Sequence, residues 1–467
     1  MKKNDDYIKR AAAVVPSERQ LKWHELEFYA FIHFGMNTFT NSEWGNGNDD
    51  PVLFNPEKLN ANQWAAAVRA AGMKAIILTC KHHDGFCLWP SEYTDYSVKK
   101  SKWKDGQGDV VRECAEACKK FGLKFGVYLS PWDRHDPRYG EGEAYNKYFK
   151  NQLRELLTNY GDIFCVWFDG ACGEGKNGKK QRYDWERYYA VIRTHQPGAV
   201  ISVCGPDVRW CGNEAGHCRE SEWSVVPAAL RDAERIASLS QQTDDRAFSK
   251  RVRSEDEDLG SRAALENAGE LCWYPAEVNT SIRPGWFYHA AEDAAVKSVE
   301  KLFQIYLSSV GANAAFLLNI PPDTRGLIAD ADVRALTALG DRIHSTLQGE
   351  AVRPASVCAD SENAAHPAQT LLSGGGYWQA ATGRSAAELT LTLSAPAQVH
   401  YVILREELTV GQRIEAGEIL IDGEKRARFT VVGHQRICPV NAAAKRQVTI
   451  RLLQARAEPT LKAVRIV

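Results

Sequence analysis

Short buried-strand candidates, most of them predominantly apolar, recur along the first three quarters of the chain, and most are followed by a stretch with helical spacing. The runs are Tyr29–Phe34, Ala75–Thr79, Phe125–Leu129, Ile163–Phe168, Ala199–Val203, a short one near Arg219–Trp223, one near Leu271–Tyr274, and Ala314–Asn319. Continuous apolar runs of this length, rich in β-branched and aromatic residues, predict strands buried on both faces. Helical patterns lie between them at Asn62–Ala71, Val110–Phe121, Ala144–Tyr160, Asp184–His195, Asp293–Leu307 and Asp330–Thr346. The second is the clearest. Asp109 is placed to cap it, Gly122 to end it, and Val110, Cys114, Ala117, Cys118 and Phe121 form one stripe. A strand–helix unit repeated about eight times predicts an α/β fold, a (β/α)₈ barrel over residues ~20–345. An open doubly wound sheet is the alternative. It loses ground because no G-x-G-x-x-G follows the first strand. The sixth strand has the weakest signal, and the charged, patternless residues 240–270 read as a long loop.

The pattern changes near residue 350. Ser373-Gly374-Gly375-Gly376 is a turn cluster. After it, alternating segments appear at Glu388–Leu393, Val399–Leu404, Glu418–Ile421, Arg428–Val432, Gln447–Leu452 and Ala463–Val467. Period-two alternation with no intervening helix predicts an all-β sandwich. The expected division is a catalytic barrel over 1–347 and a C-terminal sandwich over 348–467. The sandwich is expected to buttress the barrel rather than bind sugar, since Tyr377 and Trp378 are its few exposed-looking aromatics.

At 467 residues the chain has room for both units. A net charge of -1 and no long basic run give no reason to expect nucleic acid or an anionic membrane as partner. No segment is long and apolar enough to cross a bilayer, so membrane insertion is not expected. The twelve cysteines show no C-x-x-C or zinc-type spacing. They read as reduced thiols, and Ala11–Val15 is too short for a signal-peptide core. A cytoplasmic location is expected, or else an exported protein whose leader has been removed.

The chemistry gathers where the predicted strands end. The fourth strand closes with Trp167-Phe168-Asp169-Gly170, a carboxylate at the end of a buried run with a glycine to turn the chain away. The C-terminal ends of barrel strands are where such folds keep their reactive groups. The first strand leads to His33, then Glu43-Trp44-Gly45. The second ends Lys81-His82-His83-Asp84-Gly85-Phe86. The third gives Tyr128, then Trp132-Asp133-Arg134-His135. Asp207, Arg209, Trp210 and Glu214 follow the fifth, and Glu277, Arg283 and Trp286 the seventh. Adjacent histidines at a strand end cannot both pack inward, so at least one of His82 and His83 is a ligand-binding group. A lone histidine such as His135 reads as a structural, hydrogen-bonded side chain. Trp89, Trp103 and Trp132 read as core or rim.

Three functions suit this constellation. A metal-dependent hydrolase would want alternating histidines at the first strand, which offers only one. A non-catalytic glycan-binding protein would not need strand-end carboxylates. Glycoside hydrolysis by two carboxylates fits best, with Asp169 as nucleophile and a second acid on a loop.

Taken together, the motifs resemble glycoside hydrolase family 29, the α-L-fucosidases. The resemblance rests on Phe31-Ile32-His33-Phe34-Gly35, Glu43-Trp44-Gly45, Lys81-His82-His83-Asp84-Gly85-Phe86, Gly126-Val127-Tyr128, Trp167-Phe168-Asp169-Gly170 and Pro284-Gly285-Trp286-Phe287. It implies a retaining mechanism with Asp169 as nucleophile and no cofactor or metal. The run Asn213-Glu214-Ala215-Gly216, with Pro131-Trp132-Asp133-Arg134-His135, is similar to the subfamily acting on α-1,3/1,4-linked fucose of branched, Lewis-type glycans. That likeness implies Glu214 as acid/base and leaves Glu220, Glu222 and Glu255 as competitors. It also implies a fucose pocket lined by His33, Glu43, Trp44, His82, His83, Tyr128, Trp167 and Trp286, with a fucosylated oligosaccharide or glycoconjugate as partner. Asp207, Arg209 and Trp210 are expected near the sugar that carries the fucose.

Overall fold

The computed structural model describes residues 6–239 and 258–467. Among the described residues, ten strands occur before residue 320: β1 (Phe28–Ile32), β2 (Ala75–Lys81), β3 (Lys124–Leu129), β4 (Ile163–Phe168), β5 (Val200–Val203), β6 (Arg209–Trp210), β7 (Val225–Pro227), β8 (Leu271–Trp273), β9 (Ala276–Ser281) and β10 (Ala315–Asn319). Eight of them form one parallel sheet in the order β5-β4-β3-β2-β1-β10-β9-β6. A parallel bridge between Ser202 and Val208 joins its two edges and closes the barrel.

Side chains alternate across each strand. One set, including Tyr29, Phe31, Ala75, Ile77, Tyr128, Cys165, Trp167, Ala315 and Leu317, fills the lumen. The other set packs outward against the helices, in a core that includes Ile76, Leu78, Val127, Val166 and Leu318. The helix over Val110–Phe121 follows its sequence signals. Asp109 accepts from the Arg112 amide at 2.9 Å, and Gly122 ends it in the left-handed region at φ 69°.

Two expectations are corrected here. The sixth barrel strand is Arg209–Trp210, not a segment near Arg219–Trp223. The seventh is Ala276–Ser281, not Leu271–Tyr274. Residues Leu271–Trp273 instead pair antiparallel with Val225–Pro227 outside the barrel. A two-residue strand carries no periodicity to read. In β9, Glu277, Asn279 and Ser281 are buried polar residues, so the segment does not look like a buried strand. No helix separates β5 from β6: the Val203 amide donates to the Val208 carbonyl, and the chain restarts beside itself. Of the stretch 240–270 that reads as a long loop, residues 240–257 lie outside the described residues and the rest carries a short helix at Arg262–Leu265, while the helix near residue 300 begins later than expected, at Val299, where Ser298 caps it.

After residue 350 the structure is antiparallel. Pro354–Ala359, Ala387–Leu393, Gln447–Ala455, Ile414–Ile421 and Glu424–Phe429 form a five-stranded sheet in that order. Arg436–Ala444, Ala397–Arg405 and Ala463–Ile466 form a second of three strands. Leu389, Leu391, Ile419 and Ile450 of the first share a core with Val402, Leu404 and Val440 of the second. Trp378 is fully buried in this core and is not an exposed aromatic. All twelve cysteines are free thiols.

The all-β portion is tied to the barrel by buried polar contacts. Asn313 accepts from the His434 amide at 2.7 Å, and Gln412 accepts from the Ser224 amide at 2.8 Å. Glu27, just before β1, meets Arg405, His434 at 3.1 Å and Lys74 at 3.4 Å. Burial works to raise the Glu27 pKa. The His434 hydrogen bond and the charges of His434, Arg405 and Lys74 outweigh it and pull the group down to about 2. A depressed carboxyl stabilises the fold above its unfolded pKa, and that contribution fades as pH falls through the folded value. The melting-temperature gap between wild type and Glu27→Gln is therefore expected to be full above pH ~4.5. It should shrink steadily toward pH 2, and a gap independent of pH would contradict the ion-pair account.

Candidate active site

Asp169 is the first residue beyond β4, at the mouth of the barrel and partly exposed. One carboxylate oxygen accepts from the Ala171 amide at 2.8 Å, which fixes the turn after the strand. The other accepts from the Tyr128 hydroxyl at 3.0 Å. Burial and the Asp169 charge push the Tyr128 pKa well above its usual range, so Tyr128 remains a donor. The carboxylate is thus held by two donors, with one face open to the mouth.

Three histidines stand around it, and their proton positions follow from their partners. Asn319 gives its amide hydrogens to Ser281 Oγ and the Trp286 carbonyl, so its Oδ1 accepts from His33 Nδ1 at 2.8 Å. Ser130 gives its hydroxyl hydrogen to the Trp132 carbonyl, so its oxygen accepts from His83 Nδ1 at 2.7 Å. His33 and His83 therefore carry their Nε2 atoms as acceptors. His83 Nε2 lies 3.8 Å from Asp169 Oδ2. Two acceptors thus face one another across that distance. Asn37 donates to the Glu43 carbonyl and directs its other hydrogen to His82 Nδ1 at 3.4 Å, leaving His82 Nε2–H as a donor. Burial is the main cause that lowers all three pKa values, to about 3 for His33, about 4 for His83 and well below normal for His82. All three are neutral imidazoles at ordinary pH.

Ligand atoms of His82, His83 and Asp169 lie within 4.8 Å of one another, the spacing of a candidate metal trio. The proton positions suit sugar hydroxyls better. His82 turns a hydrogen, not a lone pair, away from Asn37, and a three-ligand site needs a lone pair from each group.

Glu214 sits on the loop after β6. Asn213 donates to the His217 carbonyl at 2.9 Å and accepts from the Ala215 amide at 3.0 Å, bracketing Glu214 on both sides. The Glu214 carboxylate accepts from Trp286 Nε1 at 3.0 Å. Tyr128 and Trp286, the donors to the two carboxylates, lie 6.0 and 5.0 Å from the His33 ring. His33 thus neighbours the donors to both acidic groups.

The remaining expected residues join the same cluster. Trp167 stacks on Tyr128 at 5.4 Å, and His82 stacks on it at 5.6 Å. Trp44 meets His83 edge-on at 5.8 Å and Trp132 at 5.5 Å. Trp132 is therefore part of the wall of the site. Glu43 has both oxygens engaged by the loop after β9: the Trp286 amide at 2.9 Å, the Phe287 amide at 3.2 Å and His289 Nε2 at 2.6 Å. Its carboxylate is the clasp that sets Trp286. Gly285 makes that approach feasible, since a Cβ there would stand 2.7 Å from Glu43 Oε1.

Other candidates fall elsewhere. Arg209 and Glu222 form a buried ion pair that Arg219 joins at 3.3 Å, so Glu222 is structural. Asp207 is spent on Arg193 and the Ile201 amide, and Arg283 is locked between Asp332 and Asp293 at 2.8 Å each. Neither Asp207 nor Arg209 is free to meet a sugar. Glu220 is exposed, while its carbonyl accepts from Arg436 at 3.0 Å and Thr430 at 2.9 Å. Glu255 lies outside the described residues. His135 stacks on Tyr96 at 4.0 Å and bonds the Gly47 carbonyl, a structural residue as expected. Sequence reasoning missed Asn319, Ser130, Asn37 and His289. Each acts on a partner far away in the chain or through one hydrogen bond, and no local pattern signals that.

A barrel mouth with two carboxylates, neutral histidines and an aromatic wall defines a glycoside hydrolase. The sequence matches the alpha-L-fucosidase family over residues 48–346, and the chain belongs to that family, glycoside hydrolase family 29. It is 39% identical to Alpha-L-fucosidase 1 of Arabidopsis thaliana over 464 residues, covering 96% of this chain and 86% of the plant protein. A Bacteroides ovatus structure assigned as an alpha-L-fucosidase superposes with a TM-score of 0.86 at 44% identity, over 99% of this chain and 75% of that one. The glycoside hydrolase 29 fucosidase of Ruminococcus gnavus, solved with fucose, gives 0.81 at 28% identity, over 97% and 95% of the two chains. Among the described residues, no helix is long and apolar enough to cross a membrane.

Proposed function

We propose that this α-L-fucosidase is a retaining, exo-acting enzyme that removes α-1,3/1,4-linked L-fucose from branched, Lewis-type glycans. Asp169 attacks the anomeric carbon while Glu214 protonates the departing glycosidic oxygen. Water, deprotonated by Glu214, then hydrolyses the fucosyl-Asp169 ester. The observation that carries this reading is the contrast between the two carboxylates. Asp169 is held by the Tyr128 hydroxyl and the Ala171 amide among buried rings. Glu214 meets Trp286 from a loop and is partly exposed.

His33 and His83 present acceptors and His82 a donor, which suits a sugar with several hydroxyls on one side. The rings of Trp167, Trp286 and Trp44 supply the apolar surface for its methyl and ring face. A site that pairs each hydroxyl rejects analogues lacking one, because its buried groups are then left unpaired. The linkage preference rests on the Asn213–Gly216 run and its likeness to the α-1,3/1,4 subfamily. A panel of Lewis-type trisaccharides, 2'-fucosyllactose and an aryl fucoside tests it. Turnover concentrated on the trisaccharides is expected. Comparable rates on 2'-fucosyllactose would reject the linkage assignment.

A further inference from the structure

Glu277 is a fully buried carboxylate in the barrel lumen, near the N-terminal end of β9, and the proposed mechanism does not use it. Its surroundings are unusual for a buried acid. Trp167 Nε1 donates to one oxygen at 2.8 Å. The Tyr29 hydroxyl donates to the other, because Trp23 Nε1 already occupies the Tyr29 oxygen as acceptor at 3.0 Å. Burial pushes the Glu277 pKa up, and the bonds from Trp167 and Tyr29 work against that rise. Among the described residues, no cation pairs with it. A buried acid is costly, and two donors converging on it in a packed lumen, one on each oxygen, are a specific arrangement.

The consequence runs upward toward the mouth. Trp167 can only donate, so the carboxylate fixes the rotation of its indole ring. That ring stacks on Tyr128 at 5.4 Å with 24° between planes. Tyr128 in turn donates to Asp169 Oδ2 at 3.0 Å. We propose that Glu277 is a positioning residue for the nucleophile, acting through Trp167 and Tyr128 on the Asp169 carboxylate. The inference rests on the assignment of Asp169 above, and adds a support that reaches it from the floor of the barrel.

The test compares two substitutions in two backgrounds, with kcat on an aryl fucoside per folded molecule. Glu277→Met has the right size but no acceptor, so Trp167 Nε1–H is left unpaired. A tenfold or greater fall in kcat is expected, the order that an orphaned buried donor costs. Glu277→Gln keeps an acceptor oxygen for Trp167 Nε1 and gives up the acceptor on the Tyr29 side only. It should restore most of the rate. In a Trp167→Phe background the ring stack persists but there is no N–H to hold. There, Glu277→Met should cost no more than about twofold further, since the pair is already uncoupled. Equal losses in both backgrounds would mean that Glu277 merely supports the lumen, and would overturn the proposal. So would a Glu277→Met enzyme within about twofold of wild type, the scatter of uncoupled sites. If Glu277→Met does not fold, Trp167→Phe alone decides: it should itself lose about tenfold or more, and wild-type kcat would refute the relay. Wild type and Asp169→Asn are assayed beside these. A silent wild type, or an active Asp169→Asn, indicts the underlying mechanism rather than Glu277.

Discussion

Asp169→Asn is expected to lose at least about 10⁴-fold in kcat while folding normally, the scale on which removing a nucleophile acts. The substitution is isosteric, and the residue is partly exposed at the rim rather than packed in the core. The new amide oxygen can still accept from Ala171 or Tyr128, whose bonds hold the present carboxylate at 2.8 and 3.0 Å. Melting temperature should therefore stay near that of wild type. What disappears is the charge that forms the ester and faces the developing positive charge at the anomeric carbon. Wild-type kcat in this variant would remove Asp169 from the chemistry.

Glu214→Ala is expected to show a loss that depends on the leaving group. An aglycone that departs well without a proton loses little in the first step. A natural glycan, which needs the proton, should fall by roughly 10²–10⁴-fold. Azide, which needs no general base, should then restore rate on an activated aryl fucoside and yield the fucosyl azide with retained configuration. The present contact with Trp286 Nε1 also predicts that removing the carboxylate leaves that indole without its acceptor. Some loss of substrate affinity is expected alongside. If azide gives no acceleration, Glu214 is not the acid/base, and exposed Glu220 becomes the first alternative.

The strand ends were the legible part of this protein. Runs such as Ile163–Phe168 are apolar because both of their faces are covered, and Asp169 stands out against them. His33, His82, His83, Tyr128 and Trp167 are legible for the same reason, since each lies at or just before the end of such a run. The far side of the barrel was not legible. Its sixth strand is two residues long, and its seventh carries Glu277, Asn279 and Ser281 into the lumen, where Glu277 meets Trp167 and Asn319 meets Ser281 at 2.9 Å. Polar residues inside a barrel break the hydrophobic rule that makes strands readable. The true Leu271–Trp273 strand, apolar enough to pass for a barrel strand, was placed outside by its pairing with Val225–Pro227. Proton positions were equally hidden. That His83 accepts at Nε2 follows from Ser130, 47 residues away, and from where Ser130 sends its own hydrogen.

The most direct measurement of the central claim is capture of the covalent intermediate. A 2-deoxy-2-fluoro-α-L-fucosyl fluoride slows the second step more than the first, so a retaining enzyme accumulates as its fucosyl ester. Mass spectrometry of the trapped protein, followed by peptide mapping, should find a single sugar on the peptide carrying Trp167-Phe168-Asp169-Gly170, attached to Asp169. A sugar on any other residue, or an enzyme that turns over the reagent without ever carrying it, would contradict the mechanism.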